Sequence, residues 1–264
     1  MPAKIELKNV GKYYGSEQSS YVLEEVDLSV KEGEFLCIIG PSGCGKSTLL
    51  RILAGIFPQS CGEYEISRSG KKETPLNAMV FQEYAIFPWR TVLDNVIFGP
   101  EMRRVPGRER LDRGMEYLGK VGLKAYADSY PYQLSGGMKQ RVAIARALAN
   151  EPEVLLMDEP FGALDAQTRT VMQEVLLNIW NHERKTVVYV THSIEEAVIL
   201  GDRVVLLTAA PGRIKKIYRV NLPRPREMTM RKSPEFVSVC QSMWDDLVKE
   251  VKKSGLGGLV PDGR

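Results

Sequence analysis

A glycine-rich stretch reads Gly40-Pro41-Ser42-Gly43-Cys44-Gly45-Lys46-Ser47-Thr48. It fits the pattern Gly-x-x-x-x-Gly-Lys-Ser/Thr and stands between a predicted strand, Phe35–Gly40, and a predicted helix, Leu49–Ala54, which is the context of a phosphate-binding P-loop. Glycines let backbone N–H groups converge on phosphate oxygens, and the helix N-terminus adds partial positive charge. Lys46 is expected to reach the β- and γ-phosphates, and the Ser47 hydroxyl to bind Mg²⁺. The stretch therefore predicts a site for the phosphates of a nucleotide.

Short apolar runs alternate with helical patterns along most of the chain. Several runs, among them Val154–Met157 and Val187–Val190, are continuously hydrophobic, as is typical of parallel strands buried on both faces. The stretch from about Glu83 to Asn150 instead follows helical spacing, and we interpret it as an inserted helical lobe. We therefore expect an α/β fold with a largely parallel sheet, whose strands are Ile5–Val10, Val22–Val30, Phe35–Gly40, Ala78–Phe81, Val154–Asp158, Thr186–Thr191, Arg203–Leu207 and Ile214–Val220.

Composition excludes several classes of protein. The 264 residues include 36 Lys and Arg and 33 Asp and Glu, and 44% of them are hydrophobic, which is typical of a globular chain rather than a disordered or collagen-like one. The four cysteines form no Cys-x-x-Cys pair and have no histidine beside them, so we expect neither a zinc site nor a disulfide framework. The first residues lack the apolar core of a signal peptide, and no apolar run reaches ~18 residues, so we expect no membrane span.

Charge is distributed unevenly along the chain. Residues 212–264 contain 12 basic and 6 acidic residues, a net charge of +6, which leaves 24 basic and 27 acidic residues, a net charge of −3, for the rest. We expect one large domain over residues 1–220, followed over residues 221–264 by a basic linker and an amphipathic helix, Pro234–Lys253, that starts at Ser233 and ends at Gly255.

The apolar stripe of this terminal helix must dock, because an isolated helix of its length is marginal in water. Three docking surfaces are open: the α/β body of the same chain, a second copy of the chain, or a lipid surface. The lipid alternative would use the basic residues Arg224, Arg226, Arg231 and Lys232.

Two acidic residues end one of the predicted strands. The apolar run Val154–Met157 leads directly into Asp158 and Glu159. An acid at the carboxyl end of a buried strand faces the crevice in which open α/β sheets bind ligands. Asp158 is expected to hold Mg²⁺ through water, and Glu159 to orient or deprotonate an attacking water.

A second pair of glycines opens another predicted helix. The chain reads Leu134-Ser135-Gly136-Gly137-Met138-Lys139-Gln140-Arg141 at the start of the helix Met138–Ala149. Ser135 is the predicted N-cap, and the free N–H groups of the first turn form a second anion site. One chain therefore carries two helix N-termini suited to phosphate.

Together, the P-loop, the Leu134–Arg141 segment and the Asp158-Glu159 strand end resemble the ATPase subunit of an ABC transporter, over about Ile5 to Val220. The resemblance implies an α/β fold in which a P-loop ATPase core has a mostly parallel sheet, an N-terminal antiparallel β portion and an inserted helical lobe of about residues 83–150. It implies an enzyme that hydrolyses ATP with Mg²⁺. Two copies would sandwich two ATP molecules head to tail, each nucleotide lying between the P-loop of one copy and Ser135–Gly137 of the other.

Further roles are implied by the resemblance. Tyr14 looks like the aromatic residue that stacks on adenine, although its neighbour Tyr13 leaves the choice open. Gln82 matches the glutamine that links Mg²⁺ and the attacking water to the helical lobe, and His192 matches the histidine that contacts the γ-phosphate. Asp165 matches the loop that crosses the dimer interface and can also cap the helix that follows it.

The resemblance thus implies three sets of site residues. The catalytic set is Lys46, Gln82, Glu159 and His192. The metal set is Ser47, Gln82 and Asp158. The nucleotide-binding set is Tyr14, Gly40, Pro41, Ser42, Gly43, Cys44, Gly45, Lys46, Ser47, Thr48, Gln82, Ser135, Gly136, Gly137, Gln140, Asp165 and His192.

The stretches Phe81–Val96, Phe161–Arg169 and Ala209–Ile214 look like import subunits of the nitrate, sulfonate and taurine group. This implies integral membrane permease subunits as partners, a solute-binding protein in the full system, a place on the cytoplasmic side of the inner membrane, and a small anion or sulfonate-like cargo. Phe87-Pro88-Trp89 would lie in the groove that receives a permease helix, or else would pack inside the helical lobe.

Three other readings of the family compete with an importer subunit, of which the last is a regulatory or assembly ATPase that binds a soluble protein. The first is the ATPase of an exporter. The second is an ABC-type ATPase that acts on nucleic acid, but the 89 positions from Lys46 to Ser135 leave room only for a small lobe, where repair enzymes of the family insert long coiled coils. We therefore expect no nucleic-acid partner.

Overall fold

The computed structural model describes residues 2–15, 21–69 and 74–256. They form two compact units, one made of the described residues up to 67 and from 186 onward, the other of Arg68–Lys185. The strands are β1 (Ala3–Tyr13), β2 (Tyr21–Lys31), β3 (Phe35–Ile39), β4 (Cys61–Ile66), β5 (Asn77–Val80), β6 (Val154–Asp158), β7 (Thr186–Val190), β8 (Arg203–Leu207) and β9 (Ile214–Arg219). The helices are α1 (Lys46–Leu53), α2 (Val92–Met102), α3 (Gly107–Lys120), α4 (Gly136–Ala149), α5 (Ala166–Glu183), α6 (Ile194–Leu200) and α7 (Pro234–Val251).

An antiparallel sheet in the order β2-β1-β4 forms the N-terminal part of the first unit, which confirms the predicted antiparallel portion. Buried residues alternate with exposed ones along β2, because one face of such a sheet packs on the core and the other meets solvent. The predicted strands omit β4. It is rich in glutamate, none of its residues is fully buried, and Gly62 within it has a φ of 74°, so its sequence lacks the apolar alternation of a strand.

The first unit also contains strands in the order β7-β3-β8-β9. β3 pairs in parallel with both β7 and β8, and β9 pairs antiparallel with β8. Every residue of β3 and of β7 is buried, as the continuous apolar runs predict. Because Ile38 lies opposite Val190 in the parallel pair, the segments that follow β3 and β7 leave the sheet at the same edge.

The second unit combines a pair of strands with a group of helices. β5 and β6 pair in parallel, with Val80 opposite Met157. Helices α2, α3 and α4 pack on one another, which confirms the helical lobe. On α5 the residues Met172, Leu176 and Ile179 are buried, as expected of a core-facing stripe. Within the part of the chain that the structure describes, no helix combines the length and apolar character needed to cross a membrane.

The terminal helix α7 docks on the first unit. The Ser233 hydroxyl accepts the N–H of Phe236 (3.2 Å), which confirms the predicted N-cap. Phe236 and Met243 of the apolar stripe are buried, and α7 packs against α6. The predicted end at Gly255 is wrong, because the α-helix ends at Val251 and continues as a π-helical turn, Lys252–Leu256, that contains this glycine.

The arginines of the linker bind the end of α6. Arg226 is 4% exposed and donates to the carbonyl oxygen of Gly201 (2.6 Å). Arg224 donates to the carbonyl oxygen of Leu200 (2.6 Å) and to the carboxylate of Asp202 (2.8 Å). Because a helix C-terminus leaves its last carbonyl groups unpaired, these two arginines cap α6. The predicted alternative in which Arg224 and Arg226 of the linker contact lipid is therefore wrong.

Candidate nucleotide site

The glycine-rich stretch joins β3 to α1 in the first unit. Gly43 and Gly45 have φ angles of 77° and 92°, a region that residues with a Cβ rarely adopt. Gly45 is the N-cap of α1 and has no side chain, so the first N–H groups of the helix have no side-chain cap. A helix N-terminus of this kind binds anions through its N–H groups and its dipole. The loop thus has the local geometry that a phosphate site requires.

Lys46 is buried within this loop. Its Nζ donates to the carbonyl oxygens of Gly40 (2.9 Å) and Pro41 (2.9 Å), and it lies 3.9 Å from Sγ of Cys44. Burial raises the pKa of the Cys44 thiol, although the charge of Lys46 opposes the shift, so the thiol is a packing group at neutral pH. Phosphate oxygens that entered the loop would compete with the two carbonyl groups for the donors of this ammonium.

Gly212 and Leu23 pack against the glycine-rich loop, and neither was predicted to belong to the site. A Cβ on Gly212 would lie 2.0 Å from the carbonyl oxygen of Cys44, and a Cβ on Gly45 would lie 2.6 Å from Cδ2 of Leu23. Gly212 also bonds to β2, since its N–H donates to the carbonyl oxygen of Val22 (2.9 Å). Only glycine fits at positions 45 and 212, where the backbone lies this close to its neighbours. In the sequence, the glycine directly after Pro211 was the one feature that could have indicated the second contact.

His192 follows β7, at the sheet edge from which the P-loop leaves β3. The N–H of Thr191 still donates to the carbonyl oxygen of Ile38 (3.2 Å), so the two segments separate only beyond this point. The Thr191 hydroxyl donates to the buried carboxylate of Glu196 on α6, which fixes the turn, and His192 is exposed. The structure therefore brings His192 and the start of the P-loop to one edge of the sheet.

The two candidate tyrosines have different surroundings. Tyr13 is the last residue of β1, its ring packs edge-on against Tyr21 (centroids 5.3 Å apart), and its N–H donates to the Ser60 hydroxyl (3.2 Å). Tyr14 follows the strand, is 49% exposed, and has the ammonium of Lys12 5.3 Å from its ring centroid. The ring of Tyr14 is the more exposed of the two, whereas the ring of Tyr13 packs on Tyr21. The surroundings favour Tyr14 for contact with adenine.

In the second unit, Gln82, Asp158 and Glu159 lie at one sheet edge, because Asp158 ends β6, Glu159 follows it, and Gln82 lies just beyond β5, which pairs in parallel with β6. Asp158 is 1% exposed and Gln82 is exposed. Glu159 has a φ of 46°, unusual for a residue with a side chain, and its carbonyl oxygen accepts the N–H of Gly162 (3.0 Å). Such a backbone is costly and persists where the surrounding structure over-determines it, as at many functional sites.

The second glycine pair begins α4 as predicted. The exposed hydroxyl of Ser135 accepts the N–H of Met138 (3.3 Å), which confirms the cap. A Cβ on Gly136 would lie 2.6 Å from the hydroxyl of Tyr84, and one on Gly137 would lie 3.1 Å from Cδ2 of Leu164. The structure thus brings the start of α4 close to the segments that hold Gln82 and Asp165.

Gln140 is the member of the nucleotide-binding set that points into the protein. It is 1% exposed, its Nε2 donates to the carbonyl oxygen of Phe81 (3.5 Å), and its Oε1 has no hydrogen-bond partner among the residues that the structure describes. The bond ties α4 to the residue before Gln82. A contact between Gln140 and nucleotide stays a prediction.

Asp165 caps α5, which is one of its two expected roles. Its carboxylate accepts the N–H groups of Gln167 (3.1 Å) and Thr168 (3.0 Å). These bonds, with that from Thr168 the larger cause, lower the pKa of Asp165. The carboxylate is therefore charged at neutral pH.

An aromatic turn precedes α2 in the helical lobe. Trp89 is 72% exposed, and its ring centroid lies 5.7 Å from that of Phe87. The turn is organised by Asn95, which is fully buried: its Oδ1 accepts the N–H of Phe87 (2.7 Å), and its Nδ2 donates to the carbonyl oxygens of Phe87, Arg90 and Thr91. Internal packing of the stretch Phe87-Pro88-Trp89 is wrong for Trp89, since most of its ring faces solvent, but it applies to Phe87, whose ring centroid lies 4.6 Å from that of Phe98. Sequence analysis missed Asn95, although a polar residue between Leu93 and Val96 was a usable signal.

Beside this turn runs a groove of about 530 Å³. Its lining combines apolar and polar side chains and includes Gln82, Tyr84, Ile86, Pro88 and Lys139. A groove with an exposed tryptophan beside it is a surface on which a protein segment could bind.

Comparison with known proteins places these features in a family. A family model described as ABC transporter matches residues 23–162. An uncharacterized ABC transporter ATP-binding protein of Methanocaldococcus jannaschii is 50% identical over 96% of this chain and 95% of its own length. The aliphatic sulfonates import ATP-binding protein of Bacillus licheniformis is 47% identical over 91% of each chain. A dimeric ATP-binding cassette in a post-hydrolysis state, bound to ADP and Pi, matches with a TM-score of 0.74 and 36% identity, over 83% of this chain and 100% of that one.

Proposed function

The chain belongs to the ABC transporter family and is an ATPase of that family, and we propose that it powers the import of a small anion of the sulfonate type. The single observation that supports this best is the pair of glycine-built helix N-termini, at α1 and α4, in a chain that is 47% identical to a sulfonate import subunit. We further propose that residues 1–220 are the ATPase domain, with an inserted helical lobe at about residues 83–150, and that residues 221–264 are a basic linker and a C-terminal amphipathic helix.

In the proposed cycle two copies close on two ATP molecules. The N–H groups of the P-loop and the ammonium of Lys46 bind the phosphates of one nucleotide, while the start of α4 of the second copy binds the same nucleotide from the other side. Tyr14 stacks on the adenine. Glu159 accepts a proton from the attacking water, His192 contacts the γ-phosphate, and Gln82 orients the water.

The proposed Mg²⁺ fits the donors that the chain supplies. A hydroxyl of Ser47 on the first turn of α1, a buried carboxylate of Asp158 and an amide oxygen of Gln82 are hard oxygen ligands. Among the residues described, no cluster of three or more His, Cys, Asp or Glu side chains could hold a metal. This agrees with Mg²⁺, which is usually held by one or two carboxylates together with substrate phosphates. When bound, the ion neutralises charge that develops on the phosphates.

The test of this function is the variant Glu159→Gln. It keeps the size and hydrogen bonding of the side chain but cannot accept a proton, so we expect turnover to fall by about 10²- to 10⁴-fold while ATP still binds. Size-exclusion chromatography with Mg²⁺-ATP should then show an accumulated dimer. Glu174→Gln, on the exposed face of α5, is the matched control and should keep normal activity. Normal hydrolysis by Glu159→Gln would move the role of base to His192.

The groove beside Trp89 is proposed to receive a helix of a permease, which would hold the chain at the cytoplasmic side of the inner membrane. Large exposed aromatic residues often act as interface anchors. Trp89→Ala should therefore leave the ATPase activity of the isolated chain nearly unchanged but weaken co-purification with permease subunits. Trp244→Ala removes an exposed tryptophan of the first unit and is the control. If Trp89→Ala and Trp244→Ala assembled equally well with the permease subunits, the proposed docking site would be refuted. The full system that we propose also includes a solute-binding protein.

A further inference from the structure

One buried carboxylate joins the end of the C-terminal helix to the loop that follows β8. Glu250, near the end of α7, is 1% exposed. Its Oε2 accepts the backbone N–H of Ala209 (3.2 Å), and its Oε1 lies 2.9 Å from Nζ of Lys215 and 2.9 Å from Nζ of Lys253. Burial alone would raise the pKa of Glu250, but these three donors outweigh it and lower the pKa to about 2. The carboxylate is therefore charged, and its partners fix the position of the end of α7.

The loop that Glu250 holds is closed by its own bonds. The N–H of Thr208 donates to the carbonyl oxygen of Arg213 (2.9 Å). The Thr208 hydroxyl donates to the carbonyl oxygen of Pro211 (2.8 Å) and accepts the N–H of Arg213 (2.9 Å). These bonds join the two ends of the loop that contains both Ala209 and Gly212.

Gly212 is the point at which this loop meets the P-loop. Its missing Cβ allows the close approach to the carbonyl oxygen of Cys44, and its carbonyl oxygen accepts the N–H of Glu24 (3.1 Å). Leu23, which lies between the two β2 residues that bond to Gly212, packs on Gly45. A continuous set of contacts therefore runs from Glu250 through Ala209 and Gly212 to the N-cap of α1.

We propose that Glu250 is a positioning residue for ATP: it holds the loop Thr208–Arg213 where Gly212 and Leu23 support the P-loop, and so couples the terminal helix to nucleotide affinity. Glu250 does not itself contact the nucleotide in this proposal. The inference rests on the proposed function in one respect, namely that the P-loop binds the phosphates of ATP.

Three variants separate this role from general stability. Glu250→Leu removes the acceptor of the Ala209 N–H, and Glu250→Gln keeps an acceptor while losing the charge. Asp246→Leu is the matched control: Asp246 lies one turn earlier on α7 and accepts from Tyr218 (2.7 Å) and Lys216 (2.9 Å) of β9 through its carboxylate, without reaching the loop. ATP affinity would be measured by titration with a fluorescent ATP analogue, with thermal unfolding of each variant recorded alongside.

We expect Glu250→Leu to bind the analogue roughly three- to tenfold more weakly, as found for residues that modulate a site without touching its ligand. Glu250→Gln should recover most of the affinity. Asp246→Leu should melt at a lower temperature yet bind within about twofold of the wild type, because affinity and stability are separate quantities in a folded sample. Wild-type affinity in Glu250→Leu, or losses in Glu250→Leu and Asp246→Leu that merely follow their melting temperatures, would overturn the proposal.

A second measurement covers the case in which Glu250→Leu does not fold. Coupling is reciprocal, so ATP should slow hydrogen exchange at the backbone N–H groups of Ala209, Ala210, Gly212 and Arg213 in the wild type, and less so in Glu250→Gln. Unchanged exchange in the wild type would overturn the inference. If Lys46→Ala bound nucleotide as tightly as the wild type, the P-loop assignment itself would be refuted. A failure of the proposed function can therefore be told apart from a failure of the inference about Glu250.

Discussion

The N-termini of α1 and α4 both contain glycines, but the free N–H groups of their first turns are treated differently. At α1 the N-cap is Gly45 in the left-handed region, no side chain caps the first turn, and Leu23 and Gly212 press on the loop from behind. At α4 the exposed Ser135 hydroxyl takes one of the free N–H groups. The first end is therefore specified by a backbone shape that only glycine allows. The second is specified by a side chain that also faces solvent.

Among variants at the two helix ends, the largest expected effect comes from Lys46, the buried lysine at the α1 end. Lys46→Ala should lower ATP turnover by about 10²- to 10³-fold, and weaken ATP binding as well, because the ammonium stabilises phosphate charge both in the bound state and in transfer. Steady-state hydrolysis and nucleotide titration would measure the two losses. Lys8→Ala, which removes an exposed lysine of β1, should change neither. Unchanged turnover in Lys46→Ala would refute the assignment of the α1 end as the P-loop.

A matched pair of glycine variants tests the backbone difference. In Gly45→Ala the new Cβ would lie 2.6 Å from Leu23 and 2.9 Å from the carbonyl oxygen of Val22, at a φ of 92°. We expect a loss of about 1–3 kcal/mol in the free energy of unfolding, together with weakened ATP binding. In Gly136→Ala the Cβ meets the hydroxyl end of Tyr84, which can shift, and the residue is the first of α4, where the backbone is helical.

Gly136→Ala should therefore stay within about 1 kcal/mol of the wild type in chemical denaturation. Equal destabilisation by the two variants would contradict the view that only the α1 end depends on glycine. The opposite ranking would show that Tyr84 is held more rigidly than Leu23.

Sequence alone predicted the two helix ends but not what holds them. Gly40–Thr48 and Ser135–Gly137 are contiguous patterns, and their backbone needs are local, so the chemistry could be read from neighbouring residues. The strands β3, β6 and β7 were equally readable because continuous apolar runs mark strands buried on both faces.

Long-range contacts were the part that could not be read. Gly212 supports Cys44, Glu250 holds Ala209, and Arg226 caps α6, each across many positions of the chain. Such pairs leave no periodic or motif signal in a single sequence. The basic linker shows the consequence: its arginines look like a solvated or lipid-facing cluster, whereas a buried arginine is paired with carbonyl groups that no local pattern reveals.

The smallest expected effect concerns the Ser135 cap. Ser135→Ala removes the acceptor of the Met138 N–H, and the loss of an N-cap of this type costs about 1 kcal/mol of stability. If the hydroxyl only caps α4, hydrolysis should be unchanged at temperatures well below unfolding. If it also binds phosphate across the proposed dimer, hydrolysis should fall further at low protein concentration, where the dimer dissociates.

Ser135→Asp separates these two uses of one side chain. Aspartate caps a helix as well as serine does, so stability should return to the wild-type value. Its negative charge, however, repels a phosphate, so ATP-driven dimerisation in Ser135→Asp should be weaker than in Ser135→Ala. Wild-type dimerisation of Ser135→Asp in size-exclusion chromatography with Mg²⁺-ATP would limit the serine to its cap. The N-terminus of α4 would then differ from that of α1 in function as well as in construction.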